Sequence, residues 1–257
     1  MKRKIIFLLI LCIFLLFVLV QLNKNTPQAI IRSINLAKTK INNTETLEFA
    51  VAYLGIFPFI EATLDILPDT VYNSKKVYHI TAQARALKLV SFFFNASAKM
   101  DSYIDKEKLY PLRFMQTLII PDKPKDEKEV IYNQKNNIME LRQVRRQILP
   151  DTQDFLSVFF FIRKQPFKVG KEFDLNINTN QKNYRFYSKI IDRKEYDIRG
   201  QKIGVWILKA DIRRRDKSPR HSSSIIMWIL DNQSKTPILM KSITNIGSIS
   251  ARLISIE

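Results

Sequence analysis

The sequence predicts a mainly β protein, a curled antiparallel sheet or partial barrel with one buried helix, preceded by an N-terminal transmembrane helix. Three observations predict it. An unbroken apolar run follows three basic residues at the start of the chain, most of the remainder alternates apolar and polar side chains with period two, and one segment departs from that alternation with helical spacing.

Met1–Lys4 reads MKRK, and the sixteen residues Ile5–Val20 (IIFLLILCIFLLFVLV) carry no polar side chain. That length exceeds the roughly 7 to 15 residues of a signal-peptide core and falls short of the roughly 20 of an average spanning helix. No small-x-small cleavage pattern follows, since the run ends VLVQLNKN, so residues 1–22 are expected to be an uncleaved anchor. Cleavage and release is the alternative. Leu11 before Cys12, and further apolar residues after it, disfavour lipid attachment there. The positive-inside rule keeps Lys2, Arg3 and Lys4 in the cytoplasm and sends the rest across the membrane through Ile5–Leu22. Residues 23–44 read as a basic juxtamembrane linker or helix, with Ile30, Ile31, Ile34 and Leu36 at loosely helical spacing, and residues 45–257 as the β-rich extracytoplasmic domain.

From Leu47 the period is two. Leu47, Phe49, Val51 and Tyr53 alternate with smaller or polar residues up to a break at Gly55 and Pro58. Ile60–Ile66 alternates as cleanly and is expected to end at Pro68-Asp69, while Val77–Ala86 places His79, Thr81, Gln83 and Arg85 on a polar face. Further strands are expected at 112–119, 129–133, 138–143, 184–191, 203–212, 224–230, 238–243 and 248–256, which makes about ten short-linked strands and hence a largely antiparallel sheet. Ile203–Leu208 and Ile225–Leu230 are apolar on both faces and should be central strands covered on both sides.

Asp151–Arg163 (DTQDFLSVFFFIR) follows Pro150, opens with Asp151 as a helix-starting residue and precedes Pro166 and Gly170. Wound as a helix it is apolar nearly all round, so it should be buried against the concave side of the sheet.

The composition narrows the chemistry. With 46% hydrophobic residues in 257 the chain can bury a large core, and its one cysteine lies inside the apolar run, so the exported part has no thiol for a disulfide or thiolate metal site. The net charge is +18; residues 1–44 hold seven Lys or Arg and no Asp or Glu, which leaves +11 for residues 45–257. Such a surface favours anionic partners.

Several landmarks, in order, resemble the bacterial family known as domain of unknown function 3108. They are FAVAYLGI (Phe49–Ile56), IEATLDI (Ile60–Ile66), YHITAQA (Tyr78–Ala84), SYIDKEKLYPLRF (Ser102–Phe114), the helix near Asp154, PFKVGKEF (Pro166–Phe173) and TPILMKSITNIGSISARL (Thr236–Leu253). The resemblance implies an exported, mostly antiparallel β protein with no settled activity and supplies no catalytic residues. The chain departs from the pattern at Phe57-Pro58-Phe59 and in a very basic loop, Arg213–His221. Together with the anchor it gives an expected location in the bacterial inner membrane, single-pass, with the C-terminal domain in the periplasm; the alternative is the free periplasmic protein.

Catalytic signatures are sparse. Only His79 and His221 are present, no His, Cys or carboxylate cluster has metal-ligand spacing, and Gly55, Gly170, Gly200, Gly204 and Gly247 build no phosphate-cradling loop. His79 reads as a surface-bonded histidine, Ser222–Ser224 lack a nucleophile elbow, and Asp101 and Asp105 read as turn formers. No enzyme, metal or cofactor is expected, and nucleic acid is disfavoured because no recognition motif accompanies the charge. The candidate anionic-partner residues are Arg213, Arg214, Arg215, Lys217 and Arg220. If helix and sheet leave a hollow, Phe93, Phe159 and Phe160 are the candidates to line it for an acyl chain, dense packing being the alternative. The expected function is a non-enzymatic binding module for a lipid, glycolipid or other envelope component; the alternative is an assembly factor that docks an envelope protein through its basic face.

Overall fold

A computed structural model of the chain describes residues 24–36, 44–92, 95–179, 181–216, 222–244 and 247–257. The anchor read over residues 1–22 lies outside the described residues, and among those described no helix is long and apolar enough to cross a membrane.

The described strands number fourteen, not about ten: β1 (Glu45–Tyr53), β2 (Phe57–Tyr72), β3 (Lys75–Ala86), β4 (Ser97–Asp105), β5 (Pro111–Ile119), β6 (Asp126–Asn133), β7 (Ile138–Leu141), β8 (Val144–Gln147), β9 (Glu172–Thr179), β10 (Lys182–Ile198), β11 (Gln201–Arg214), β12 (Ser222–Leu230), β13 (Pro237–Thr244) and β14 (Gly247–Ile256). They form one antiparallel sheet in the order β8 to β1, then β14 down to β9. Each strand pairs with its neighbours in sequence, and the pairing of β1 with β14 joins the two meanders, so the sheet is open only between β8 and β9. β2 runs past Pro68-Asp69 instead of ending there, because a register shift between Leu67 and Thr70 takes Pro68, which has no N–H, out of the ladder.

The open seam is partly filled from within the chain. Gln153 bridges to Ile177 in the parallel sense; its N–H donates to Asn176 O at 2.8 Å and its carbonyl accepts from Asn178 N at 3.0 Å. Arg146 Nε of β8 reaches Gln181 Oε1, beside the start of β10, at 3.5 Å. The result is the expected partial barrel.

Three described α-helices accompany the sheet: α1 (Pro27–Ser33), α2 (Lys88–Ser91) and α3 (Phe155–Lys164). α3 is the predicted buried helix, but its N-cap is Asp154, not Asp151, which sits in a turn at φ 52°. Asp154 Oδ1 accepts from the N–H groups of Leu156 (2.8 Å) and Ser157 (2.7 Å), while Ser157 Oγ accepts from Asp154 N at 2.8 Å, a capping box that satisfies the otherwise unpaired donors of the first turn. At 100° per residue Leu156 and Phe160 fall on one side and Val158 and Ile162 on the other. The first pair packs with Ile80, Ile104, Phe114 and Tyr132, and the second with Phe173, Phe186, Leu208 and Met227. α3 is therefore a wedge between the two halves of the curled sheet, which is why its sequence is apolar nearly all round. Its apolar side chains pack into core clusters on both sides.

α1 lies within the segment read as a linker. Thr26 Oγ1 accepts from Ala29 N at 3.3 Å and Pro27 takes the first helical position, where its missing N–H costs nothing. Ile30, Ile31 and Ile34 are buried in one cluster with Val205, Leu230 and Leu239, with Trp228 alongside. Strand alternation sets Trp228 and Leu239 on the face opposite to Met227, and Met227 packs in the cluster of α3. β11 to β13 are thus covered by α1 on one face and α3 on the other, which accounts for the doubly apolar strands 203–208 and 225–230.

Candidate functional site at the end of the inserted helix

Arg163 and Lys164 close α3, where cations suit the partial negative charge of a helix C-terminus. Arg163 is buried: Nη2 lies 2.6 Å from Glu45 Oε2, and Nε and Nη2 donate to Ser234 O at 3.0 and 2.8 Å. Lys164 is exposed. Its Nζ stands 5.0 Å from the centroid of the Phe160 ring and 5.2 Å from that of Tyr78, and the two rings lie 4.8 Å apart. Lys106, from the β4–β5 turn, holds its Nζ 4.8 Å from the same Tyr78 ring and pairs with Asp69. Lys235, from the β12–β13 turn, lies 5.4 Å over Phe167.

Four cations from three separate stretches of sequence thus meet at one end of the barrel. Arg163 and Lys106 have carboxylate partners; among the described residues, Lys164 and Lys235 have none in salt-bridge contact. Both ammonium groups are held below the ordinary lysine value, first by partial burial and then by neighbouring cations: Arg163, Lys106 and Lys235 act on Lys164, and Arg163 acts on Lys235. Glu45 opposes this at Lys164 and Asp231 at Lys235 without cancelling it. Positive charge short of counter-charge above aromatic rings can take up an anionic headgroup, because the anion relieves the repulsion and the rings supply apolar contact. The spacing of these residues in the chain gave no sign of it; the one local hint was the Arg-Lys pair ending an otherwise apolar helix.

The residues singled out from sequence lie elsewhere, in part. Arg213 and Arg214 end β11, and Arg215 follows it, at the opposite end of the barrel, where Arg214 pairs with Asp216 and Arg215 Nη2 donates to Asn176 Oδ1 at 2.6 Å. Lys217 and Arg220 lie outside the described residues, as does Phe93. Phe160 is 3% exposed and serves the core, while Phe159 is half-buried with the Arg163 guanidinium 5.7 Å from its ring.

Two further constellations carry titratable groups. Asp154 is buried, and Ser102 Oγ of β4 donates to its Oδ2 at 2.6 Å. Burial pushes its pKa up to about 6 against the lowering effect of Ser102 and the helix N–H groups, and burial together with that carboxylate raises the Tyr132 phenol well above its usual value. Oδ1 of Asp154 serves the helix start and Oδ2 the Ser102 hydroxyl of β4, so the group acts as a lock between α3 and β4. On the outer face, His79 Nε2 lies 3.0 Å from Asp101 Oδ1 and the imidazole stacks on Tyr103 at 4.3 Å, the surface-bonded histidine that the strand pattern implied. Asp101 is inside β4 opposite Thr81 and Met115, not at a turn; only Asp105 forms one, accepting from Glu107 N and Lys108 N at 2.9 and 3.1 Å. A cleft of about 550 Å³ on the same outer face is lined by Glu48, Thr63, Gln83, Arg85, Lys99 and Thr117, with charges of both signs. Among the described residues no three His, Cys, Asp or Glu side chains are placed to hold a metal ion.

Fold and site together define an open, β-barrel-like protein wedged by one apolar helix that ends in a cationic cluster. A crystal structure of a β-barrel-like protein of domain of unknown function DUF1849 from Brucella abortus is similar over 83% of this chain and 96% of that chain, with a TM-score of 0.55 and 8% identity, a likeness of fold alone. A protein with a YmcC-like fold from Bacteroides fragilis covers 83% of this chain and 95% of its own at a TM-score of 0.34 and 8% identity, too distant to support an argument. No curated protein matches the sequence. The chain belongs to the family described as protein of unknown function (DUF3108), whose model matches residues 48–254.

Proposed function

We propose that this protein is a non-enzymatic envelope component, anchored in the inner membrane by Ile5–Leu22, whose periplasmic barrel binds the anionic headgroup of a lipid or glycolipid at the C-terminal end of α3. The observation that carries the reading is the placement of Lys164 and Lys235 beside Arg163 and Lys106 without carboxylate partners among the described residues, above Tyr78, Phe160 and Phe167. Cations gathered at a cost in mutual repulsion, at the rim and not in the core, make sense when an anion joins them. The burial of Phe160 in the core favours capture of a headgroup at the mouth over enclosure of an acyl chain around Phe159 and Phe160.

The test is thermal unfolding of the full chain in neutral detergent with dodecyl phosphate added, against the same concentration of dodecyl maltoside. Stabilisation by the phosphate, lost in Lys164→Gln/Lys235→Gln, supports the reading. An equal response to both amphiphiles, or an unchanged response in the double variant, removes it.

A further inference from the structure

The end of the barrel opposite α3's basic terminus has a different surface. Leu54 and Phe57, each 45% exposed, flank the β1–β2 turn; Ile243, 63% exposed, stands at the end of β13; Phe92, 88% exposed, follows α2. These positions are neighbours along one rim of the sheet. Leu54 N donates to Ser248 O at 2.7 Å and Ser248 pairs with Ile243, while Leu87 N, at the start of α2, donates to Phe59 O at 2.9 Å. Arg213, paired with Ser222 across the β11–β12 connection, and Lys88 of α2 extend the same rim with exposed cations. Its nearby carboxylates are engaged, Glu61 with Arg85 and Asp216 with Arg214.

The chain itself says what covers this rim. Asn25 Nδ2 donates to the carbonyl of Gly55, in the turn between Leu54 and Phe57, so the described chain begins against the apolar hairpin. Only five residue steps separate Asn25 from Val20, the last residue of the apolar run, a span of at most about 18 Å. α1 then fixes Asn25 to the body of the domain through buried Ile30 and Ile31, which leaves little freedom for the domain to turn away.

We propose that Leu54, Phe57, Phe92 and Ile243 rest in the interfacial layer of the same bilayer that Ile5–Val20 enters, with Lys88 and Arg213 at anionic headgroups. Apolar side chains along one rim, flanked by cations, match the depth profile of a membrane interface, where apolar groups sink below the headgroups and Lys and Arg stay among them. The domain then lies directly on the membrane, and the cationic end of α3 faces away from it. This orientation rests on the anchored reading above, and the experiment separates the two.

The full chain carrying Cys12→Ser, with a single Leu54→Cys, Phe92→Cys or Val71→Cys, is nitroxide-labelled and reconstituted in vesicles of phosphatidylethanolamine and phosphatidylglycerol; Val71 is exposed at the far hairpin of β2 and β3. Flotation with the vesicles reads the anchor, and the relative accessibility of each label to oxygen and to a water-soluble nickel chelate reads the face. The expected result is flotation of all three, with the labels at 54 and 92 shifted toward oxygen and shielded from nickel while the label at 71 stays open to nickel. Flotation with all three labels equally open to nickel overturns the orientation and leaves the anchor standing. Failure to float overturns both.

Discussion

Ser102 Oγ donates a 2.6 Å hydrogen bond to Asp154 Oδ2, so the residue that starts the inserted helix is held by the middle of a strand 52 positions earlier in the chain. The bond joins α3 to β4 deep in the barrel, and it does so through a carboxyl whose pKa burial has pushed up to about 6. The folded state therefore binds that proton more tightly than the unfolded chain, where the group titrates near its usual value of about 4. Its contribution to stability is complete below about pH 4 and is lost as pH rises through about 6, a change of about 3 kcal/mol.

Asp154→Asn keeps an acceptor for the Leu156 and Ser157 N–H groups and removes the titration. Denaturant unfolding between pH 4 and pH 7 should show wild-type stability declining relative to the variant as pH rises. Parallel curves across that range would show that the carboxyl does not change its proton affinity on folding.

Arg163 and Glu45 form a nearly buried ion pair at 2.6 Å, with the guanidinium also serving Ser234 O. Removing one partner of such a pair leaves the other desolvated and unpaired, at a cost of about 3 kcal/mol. Arg163→Met should therefore destabilise more than Glu45→Gln, because only the former also removes the two hydrogen bonds to Ser234 O. The double variant should be less destabilised than the sum of the two, and additive losses in thermal unfolding would mean that the side chains do not interact.

Phe160 fills the space between α3 and the β3–β7 half, in contact with Tyr78. Phe160→Ala is expected to cost about 3 to 5 kcal/mol through the cavity it leaves. A loss under about 1 kcal/mol, the range of tolerated surface changes, would indicate that the interior is looser than the packing implies.

Ile30 and Ile31 are buried, so α1 belongs to the folded unit despite lying in the basic stretch that reads as a linker. Ile31→Ala should remove about 3 kcal/mol and lower the unfolding midpoint by roughly 10 °C. Since Trp228 packs beside α1, its emission should also move to the red. An unchanged midpoint and spectrum would make α1 a tether only.

The strand alternation was legible wherever one face met core and the other water, as in β1 and β3. β9 (EFDLNINT) carries the same alternation, but over only three apolar positions, a weak signal beside the strongly apolar helix before it. β4 was hidden because buried Ser102 and nearly buried Asp101 interrupt its pattern with polar residues that find partners in Asp154 and His79. β8 (VRRQ) is exposed along its whole length, so no burial pattern marks it. α3 was readable because a wedge between two half-sheets needs apolar residues all round. Its start was misplaced by three residues because Asp151 and Asp154 both suit an N-cap, and only the bonds to Leu156 and Ser157 decide between them. The outer cover of β11 to β13 was predicted without its source, since three isoleucines in a polar stretch give a weak helical signal. The cationic end of α3 could not be read at all: Lys106, Arg163, Lys164 and Lys235 become neighbours only when the sheet curls.

The most direct measurement of the proposed binding site is photo-crosslinking of the full chain with an alkyl phosphate that carries a diazirine next to its headgroup, followed by peptide mapping. The account predicts adducts on the peptides containing Tyr78, Phe160–Lys164 and Lys235, greatly reduced in Lys164→Glu/Lys235→Glu. Adducts spread over the other faces of the barrel, or undiminished in that variant, would contradict it.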